Sequence, residues 1–306
     1  MRTFLSRVLE DVLENGSDPK DYCFILPNKR SSLFLRQELR TRLMPNSFFP
    51  EILSIEGFME SISGVRVIDN VALLFEFYSI YKDVVPKNES NSFQSFSKWA
   101  PILLQDFNEL DSTMAEAESI LSYIYEAKRI ENWDVGEADP GNLVENYISF
   151  HKLIPEFYRL FQNRMNDSKS GYQGFVYKLA CELIQEDASR LKSMNYVFAG
   201  FNALSKSEEL VIQYLLDQGN ASIYWDDDDF YEKSEASAGE FIKNYRKRWP
   251  YYQSREFKWT DSNINTAKVI HLHGLPKNIS QIKKTIKATE YLFFRYGGSF
   301  LNMMQI

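Results

Sequence analysis

The chain is poor in the residues that most often carry chemistry. It holds two cysteines and three histidines in 306 residues. Cys23 and Cys181 lie far apart, each in an apolar context, so they read as reduced core thiols in a cytoplasmic protein and not as a disulfide framework. His151 stands alone in a helical pattern and reads as structural. His271 and His273 alternate on a candidate strand and project to one face, but no cysteine or third histidine lies nearby to complete a zinc site. Histidines so placed support neither a Ser-His-Asp nor a Cys-His arrangement. No stretch approaches the roughly 20 apolar residues that span a bilayer, so no membrane partner is expected. The N-terminus, with Phe4, Leu5, Val8, Leu9, Val12 and Leu13 at helical spacing and charges between them, reads as an amphipathic helix and not a signal peptide. The string G-x-x-x-x-G-K-[ST] occurs nowhere, so the loop whose backbone amides cradle nucleotide phosphates is missing.

What is present is an ordinary globular composition, 44% hydrophobic and 25% charged, with 23 Phe and 18 Tyr to fill a sizeable core. The net charge of −7 is uneven: residues 93–145 carry eleven acids against Lys98, Lys128 and Arg129, which leaves the remainder close to neutral. The acidic balance argues weakly against nucleic acid as a partner, and a local acidic segment beside basic ones argues much less.

Along the chain, Cys23–Leu26 is a short apolar run closed by Pro27-Asn28. It fits a strand buried on both faces, as in a parallel sheet. A helix over Lys29–Leu43 and a second strand over Glu51–Ile55 follow. From about Val67 to Asp187 helical patterns dominate: Val71–Tyr81, Phe93–Leu110, Met114–Lys128, Leu143–Met165 and Phe175–Glu186. Strands return at Tyr196–Gly200, Ala221–Trp225 and Lys268–His273, with helices over Ser205–Asp217, Glu240–Arg248 and Ser280–Phe293. Ser205 with Glu208 forms a capping box at a helix start. Alternating strands and helices predict a parallel α/β sheet with right-handed crossovers. The expected organisation is an α/β domain opening over residues 1–64, an inserted all-α lobe over 65–190, and the α/β domain resumed over 191–306.

These segments, taken in order, resemble a known family. The carrying residues are Ile25-Leu-Pro-Asn-Lys-Arg30, Ile52-Leu-Ser-Ile-Glu-Gly-Phe58, Leu73-Leu-Phe-Glu-Phe-Tyr78, Phe198-Ala-Gly-Phe-Asn-Ala-Leu204 and Tyr224-Trp-Asp-Asp-Asp-Asp229. The chain resembles the N-terminal, inactivated superfamily I helicase-like region of bacterial AddB-like PD-(D/E)XK nuclease family proteins. The resemblance implies a RecA-like (P-loop NTPase-like) sheet and a non-catalytic module of a helicase–nuclease in double-strand break repair. It also implies DNA and a partner helicase or nuclease subunit as partners. Members of the family continue into a second helicase-like half and a nuclease domain. Where an active motor places an acidic pair for Mg²⁺ at the end of the later strand, this chain has Ala199-Gly-Phe-Asn202. No catalytic residue, cofactor or metal is therefore expected.

The candidate DNA contacts are Asn28, Lys29, Arg30, Ser31, Ser32 and Arg36, where a strand hands over to a helix. In the resembling motors this turn touches the single-strand backbone. Helix N-terminal amides and cations together make a phosphate site. With Arg40 and Arg42 against Glu38 the helix is locally +4, and a solvated basic face is the competing reading. Asp226–Asp229 reads as a solvated turn, because consecutive carboxylates cannot all point to one metal. Glu256 and Lys258 fit only the E-x-K half of a nuclease signature. Tyr224 and Trp225 read as core residues ahead of base-stacking platforms, and Met303 and Met304 as packing or tail residues. A protein–protein scaffold without DNA binding is the alternative function.

Overall fold

The computed structural model describes residues 3–13, 18–42, 48–87, 90–133, 142–187, 191, 193–233, 237–255, 260, 261, 264, 267, 274, 276, 279–285 and 287. Its elements run in the order α1 (Phe4–Leu13), β1 (Tyr22–Leu26), α2 (Lys29–Arg42), β2 (Glu51–Ser54), α3 (Ile55–Ser63), β3 (Arg66–Val67) and α4 (Asn70–Val84). Then follow α5 (Phe93–Ser112), α6 (Ala117–Trp133), α7 (Asn142–Ser168), β4 (Ser170–Gly171), α8 (Gln173–Glu186), β5 (Asn195–Phe201) and α9 (Lys206–Gln218). The chain continues with β6 (Ala221–Trp225), β7 (Asp227–Asp228), α10 (Asp229–Lys233), α11 (Glu240–Arg248) and β8 (Thr260–Asp261). The candidate strand Lys268–His273, with Glu256, Lys258, His271, His273, Met303 and Met304, lies outside the described residues.

The main sheet has four parallel strands in the order β2-β1-β5-β6. Strands from the two ends of the chain are thus direct neighbours: Phe24 lies opposite both Ile52 and Val197. Side chains alternate between two covered faces, as the pleat requires. Phe24, Leu26, Ile52, Val197, Ala199 and Tyr224 meet the apolar stripes of α1 and α2. Cys23, Ile25, Tyr196, Phe198, Ile223 and Trp225 face the other way, onto α3, α8, α9 and α11. Burial on both faces explains why β1 reads as a continuous apolar run.

The second core continues without a break into the helices between β2 and β5. Phe77 on α4 is its centre, ringed by Phe96, Phe107, Phe157 and Phe161 at centroid separations of 5.4, 6.1, 5.7 and 5.4 Å. Such aromatic pairs add about 0.5–1.5 kcal/mol each beyond the area they bury. Helix starts follow their caps. The Asp69 side chain accepts from the amides of Val71 and Ala72, and Ser92 from that of Ser95. Met114 takes a left-handed conformation, φ 55°, which ends α5 and delays α6 to Ala117, three residues later than its apolar spacing predicts.

Two further parallel pairs, β3 with β4 and β7 with β8, were not foreseen. The second pair corrects the reading of Asp226–Asp229. Asp227 and Asp228 are buried, and only Asp226 is exposed among the first three. Asp227 Oδ1 accepts from the Asp228 amide (2.9 Å), Asp228 Oδ1 from the Phe230 amide (3.0 Å) and Asp228 Oδ2 from the Ile264 amide (3.1 Å). Backbone donors, one of them distant in sequence, hold these carboxylates in place of water. Desolvation raises the Asp227 carboxyl above its ordinary range; its bond from the Asp228 amide and the nearby Arg246 oppose that rise.

Candidate nucleic-acid interface

The strand order reverses between β1 and β5. From β1 the chain crosses through α2 to β2, and from β5 it crosses through α9 to β6, so the two connections diverge from adjacent strands. They also lie on opposite faces, α2 on the first core and α9 on the second. In open α/β sheets ligands bind outside the carboxyl ends of strands at such a reversal of order. Here that crevice is bounded by the turn Pro27-Asn28 with the start of α2 and by the exposed Asn202 and Ala203 after β5. Gly200 permits the bulge that ends β5: its φ is 78°, a region disfavoured for other residues.

The six predicted site residues all fall on the first wall, but they do not act alike. Asn28 turns inward on its own helix: its Oδ1 accepts from the Ser31 amide and hydroxyl at 2.9 and 3.1 Å. That is the chemistry of a helix cap, and it removes one amide that a phosphate would otherwise use. Ser32 is 9% exposed and packs inward, in line with Leu35 and Leu39. Lys29, Arg30 and Arg36 are exposed, as is Arg40. Lys29, Leu33, Arg36 and Arg40 follow one another up one side of α2, and Leu33 is 67% exposed. Arg30, Arg36 and Arg40 have no acidic partner among the described residues. Lys29 pairs with Glu56 at the start of α3, 3.0 Å away, which raises the pKa of its ammonium. Arg42 is committed elsewhere, to Glu10 at 3.0 Å and to Ser6, and so ties α2 to α1.

The neighbouring helix starts are closed in the same manner as α2. Ser54 accepts from the Gly57 amide at the head of α3. At the head of α9 the predicted capping box is complete: Ser205 Oγ accepts from the Glu208 amide at 3.3 Å, and Glu208 Oε2 from the Ser205 amide at 2.7 Å. Burial raises the Glu208 carboxyl, while the bonds it accepts from the Ser205 amide and from the Ser205 hydroxyl (3.0 Å) hold it down. All three helices that follow a sheet strand at this edge thus spend side-chain oxygens on their own amides.

The remaining sequence candidates fall outside the interface. Tyr224 and Trp225 are buried; Tyr224 donates to Asp11 Oδ2 at 2.7 Å and Trp225 Nε1 to the Tyr252 hydroxyl at 2.6 Å. Among the described residues no three His, Cys, Asp or Glu side chains are placed to hold a metal, and no helix is long and apolar enough to cross a membrane. One element was missed: the cations at the end of α11 and after it, at the far side of the crevice. Their signal was the acid-free run Arg246–Arg255. Comparison of the chain with protein-family models and with curated proteins gives no match.

Proposed function

We propose that the chain is a non-catalytic, helicase-like module that contacts DNA along α2 at the carboxyl edge of its sheet. In this reading residues 1–64 and 191–306 form a RecA-like domain, and 65–190 are a helical lobe inserted in it. The module scaffolds a partner motor and nuclease in double-strand break repair. The observation that carries the reading is the reversal of strand order at the carboxyl edge beside exposed cations of α2, Lys29 and Arg30 at its start and Arg36 and Arg40 further along the helix. The self-capped helix starts support the non-catalytic part, because a nucleotide site leaves such amides free for phosphates.

The test is binding of the full chain to single-stranded and tailed DNA across a salt series, with thermal unfolding as a control. Lys29→Glu with Arg30→Glu is expected to weaken binding and to flatten the salt dependence by about 0.7 for each phosphate no longer neutralised. Both side chains are exposed, so the fold should survive. Unchanged affinity and slope would place them on an idle face. The scaffold reading without DNA would then lead, and it has its own observation: α6 exposes Ile120, Tyr123 and Ile124 on one side within the acidic segment.

A further inference from the structure

The crevice has a second basic wall. The run Arg246-Lys-Arg-Trp-Pro-Tyr-Tyr-Gln-Ser-Arg255 contains four cations and no acid. Its aromatic members anchor it to the sheet edge. Tyr245, just before it, accepts at its hydroxyl from the Leu204 amide at 2.8 Å. Trp249 is buried and donates through Nε1 to Glu209 Oε1 at 2.9 Å. Tyr252 takes the Trp225 indole bond described above. Leu204 lies just past β5 and Trp225 ends β6, so these bonds seat the segment on the carboxyl ends of both strands. Adjacent strands lie about 4.8 Å apart, which brings the ends of β1 and β6, with β5 between them, within about 10 Å. The segment packs with the second core and α2 with the first. The two basic elements therefore bracket the crevice from opposite faces.

The cations of this wall point to solvent. Arg248 is shared with Glu209 at 3.5 Å, and Arg246 lies close to the buried Asp227. Lys247 and Arg255 have no acidic partner among the described residues. The Arg255 guanidinium lies over the half-buried Tyr251 ring, 4.5 Å from its centroid. A guanidinium stacked on a tyrosine is a flat cationic surface that can hold a phosphate by its donors and a base by its plane. Among the described acids near this edge, Asp227, Asp228 and Glu209 accept from backbone or indole donors, while Asp226 and Glu240 are exposed.

We infer that this segment is the second wall of a groove for single-stranded nucleic acid, with Lys247 and Arg255 on the backbone and the Tyr251–Arg255 stack receiving a base. The inference rests on the DNA-contacting reading above and adds strand selectivity to it. A duplex keeps its bases stacked on one another, whereas a single strand can lend one to an aromatic platform.

The experiment is fluorescence anisotropy of the full chain with a labelled oligothymidylate. Tyr251→Ala should cost roughly 5-fold to 160-fold in affinity, the range of one base–aromatic stack, while Tyr251→Phe retains binding. Lys247→Glu, at an exposed side chain with no acidic partner among the described residues, should flatten the salt slope by about 0.7 or more, and it decides the matter if Tyr251→Ala unfolds. A blunt duplex should be insensitive to Tyr251→Ala. If Lys29→Glu with Arg30→Glu weakens binding while Tyr251→Ala, Arg255→Ala and Lys247→Glu leave affinity and slope unchanged, the second wall is overturned and the DNA-contacting reading stands. If the unmodified chain has no affinity for the oligonucleotide, both fall.

Discussion

Replacing Asp111 with alanine should be among the most destabilising single changes available to this protein. Asp111 sits near the end of α5 with no exposed surface. Its Oδ1 accepts from the Tyr158 hydroxyl at 2.5 Å and the Lys178 ammonium at 3.2 Å; its Oδ2 accepts from the Tyr172 hydroxyl at 2.5 Å and Gln162 Nε2 at 2.7 Å. A carboxylate offers about four lone-pair sites, so this one is full, and its donors come from α7, from α8 and from the residue that precedes α8. Alanine would strand two buried hydroxyls and take from the Lys178 ammonium the carboxylate it is bonded to, leaving only the coulombic influence of Glu182. Breaking one half of a buried pair costs about 3–5 kcal/mol. The Lys178 side chain is 26% exposed and can partly hydrate itself, so the lower end, about 3 kcal/mol, is the working figure. Against a typical total of about 5–15 kcal/mol that is a large share. Urea unfolding followed by circular dichroism measures it, and Asp111→Asn, which keeps the shape and two acceptor sites, should lose less. Amide exchange should show α5, α7 and α8 opening before β1 and β5, because the missing anchor joins those helices. A loss under about 1 kcal/mol for Asp111→Ala, the range of a single ordinary hydrogen bond, would refute the view that this carboxylate organises the helices.

Gly174→Ala should separate α5 from α8, since a Cβ there would meet the Asn108 carbonyl oxygen at 2.3 Å and Ser112 Oγ at 2.8 Å; the check is a lowered melting temperature, which Asn108 variants would not rescue because the clash is with backbone. Ser205→Ala removes the hydroxyl half of the α9 capping box and leaves the residue 205 amide on Glu208 Oε2, and should cost about 1 kcal/mol in urea unfolding. Burial pushes the Cys23 and Cys181 thiols up to about 12 from 9.0. Their contribution to stability is thus complete below about pH 9 and is lost as pH rises toward 12; alkylation at pH 8 should be slow in the native chain and fast in urea. Glu56→Gln should strengthen DNA binding and steepen the salt slope by about 0.7, because it frees Lys29 for a phosphate; binding that is unmoved would mean Lys29 meets no phosphate.

The sheet was legible because its strands announce themselves locally. Cys23–Leu26 is apolar on both faces and closed by Pro27-Asn28, and each helix that follows carries a recognisable cap. That β1 and β5 share one parallel sheet was expected from the alternation of strands and helices at both ends of the chain; that they pair directly, with more than a hundred residues between them, was not. The two-residue pairs β3–β4 and β7–β8 are too short to have a period. The burial of Asp227 and Asp228 depends on an amide at Ile264, which no local pattern reveals. At the candidate site the basic character of α2 was legible, but the roles within it were only half so. The inward turn of Ser32 was available from its spacing to Leu35 and Leu39, and the cap formed by Asn28 from its place three residues before Ser31. Reading both as phosphate contacts gave weight to a polar cluster where helical geometry had already assigned them. The basic run at Arg246–Arg255 was visible as composition, yet its relevance came only from the bonds that seat Tyr245, Trp249 and Tyr252 on the sheet edge.

The caps also determine what kind of binding this edge can support. A nucleotide-binding turn leaves consecutive amides bare and adds the helix dipole, so its phosphate is held by fixed donors at short range. In this protein Asn28, Ser54, Ser205 and Glu208 have taken up amides at the three turns that follow β1, β2 and β5. An anion approaching this edge therefore meets exposed cationic side chains and few oriented backbone donors. Such contacts gain most of their free energy from released counterions, so affinity should scale with the number of cations engaged and fall steeply with salt. They read no base edges, so sequence preference should be slight. A protein of net charge −7 that bound DNA in this way would have to gather the strand onto the exposed cations of α2 and of Arg246–Arg255, of which Arg30, Arg36, Arg40, Lys247 and Arg255 have no acidic partner among the described residues.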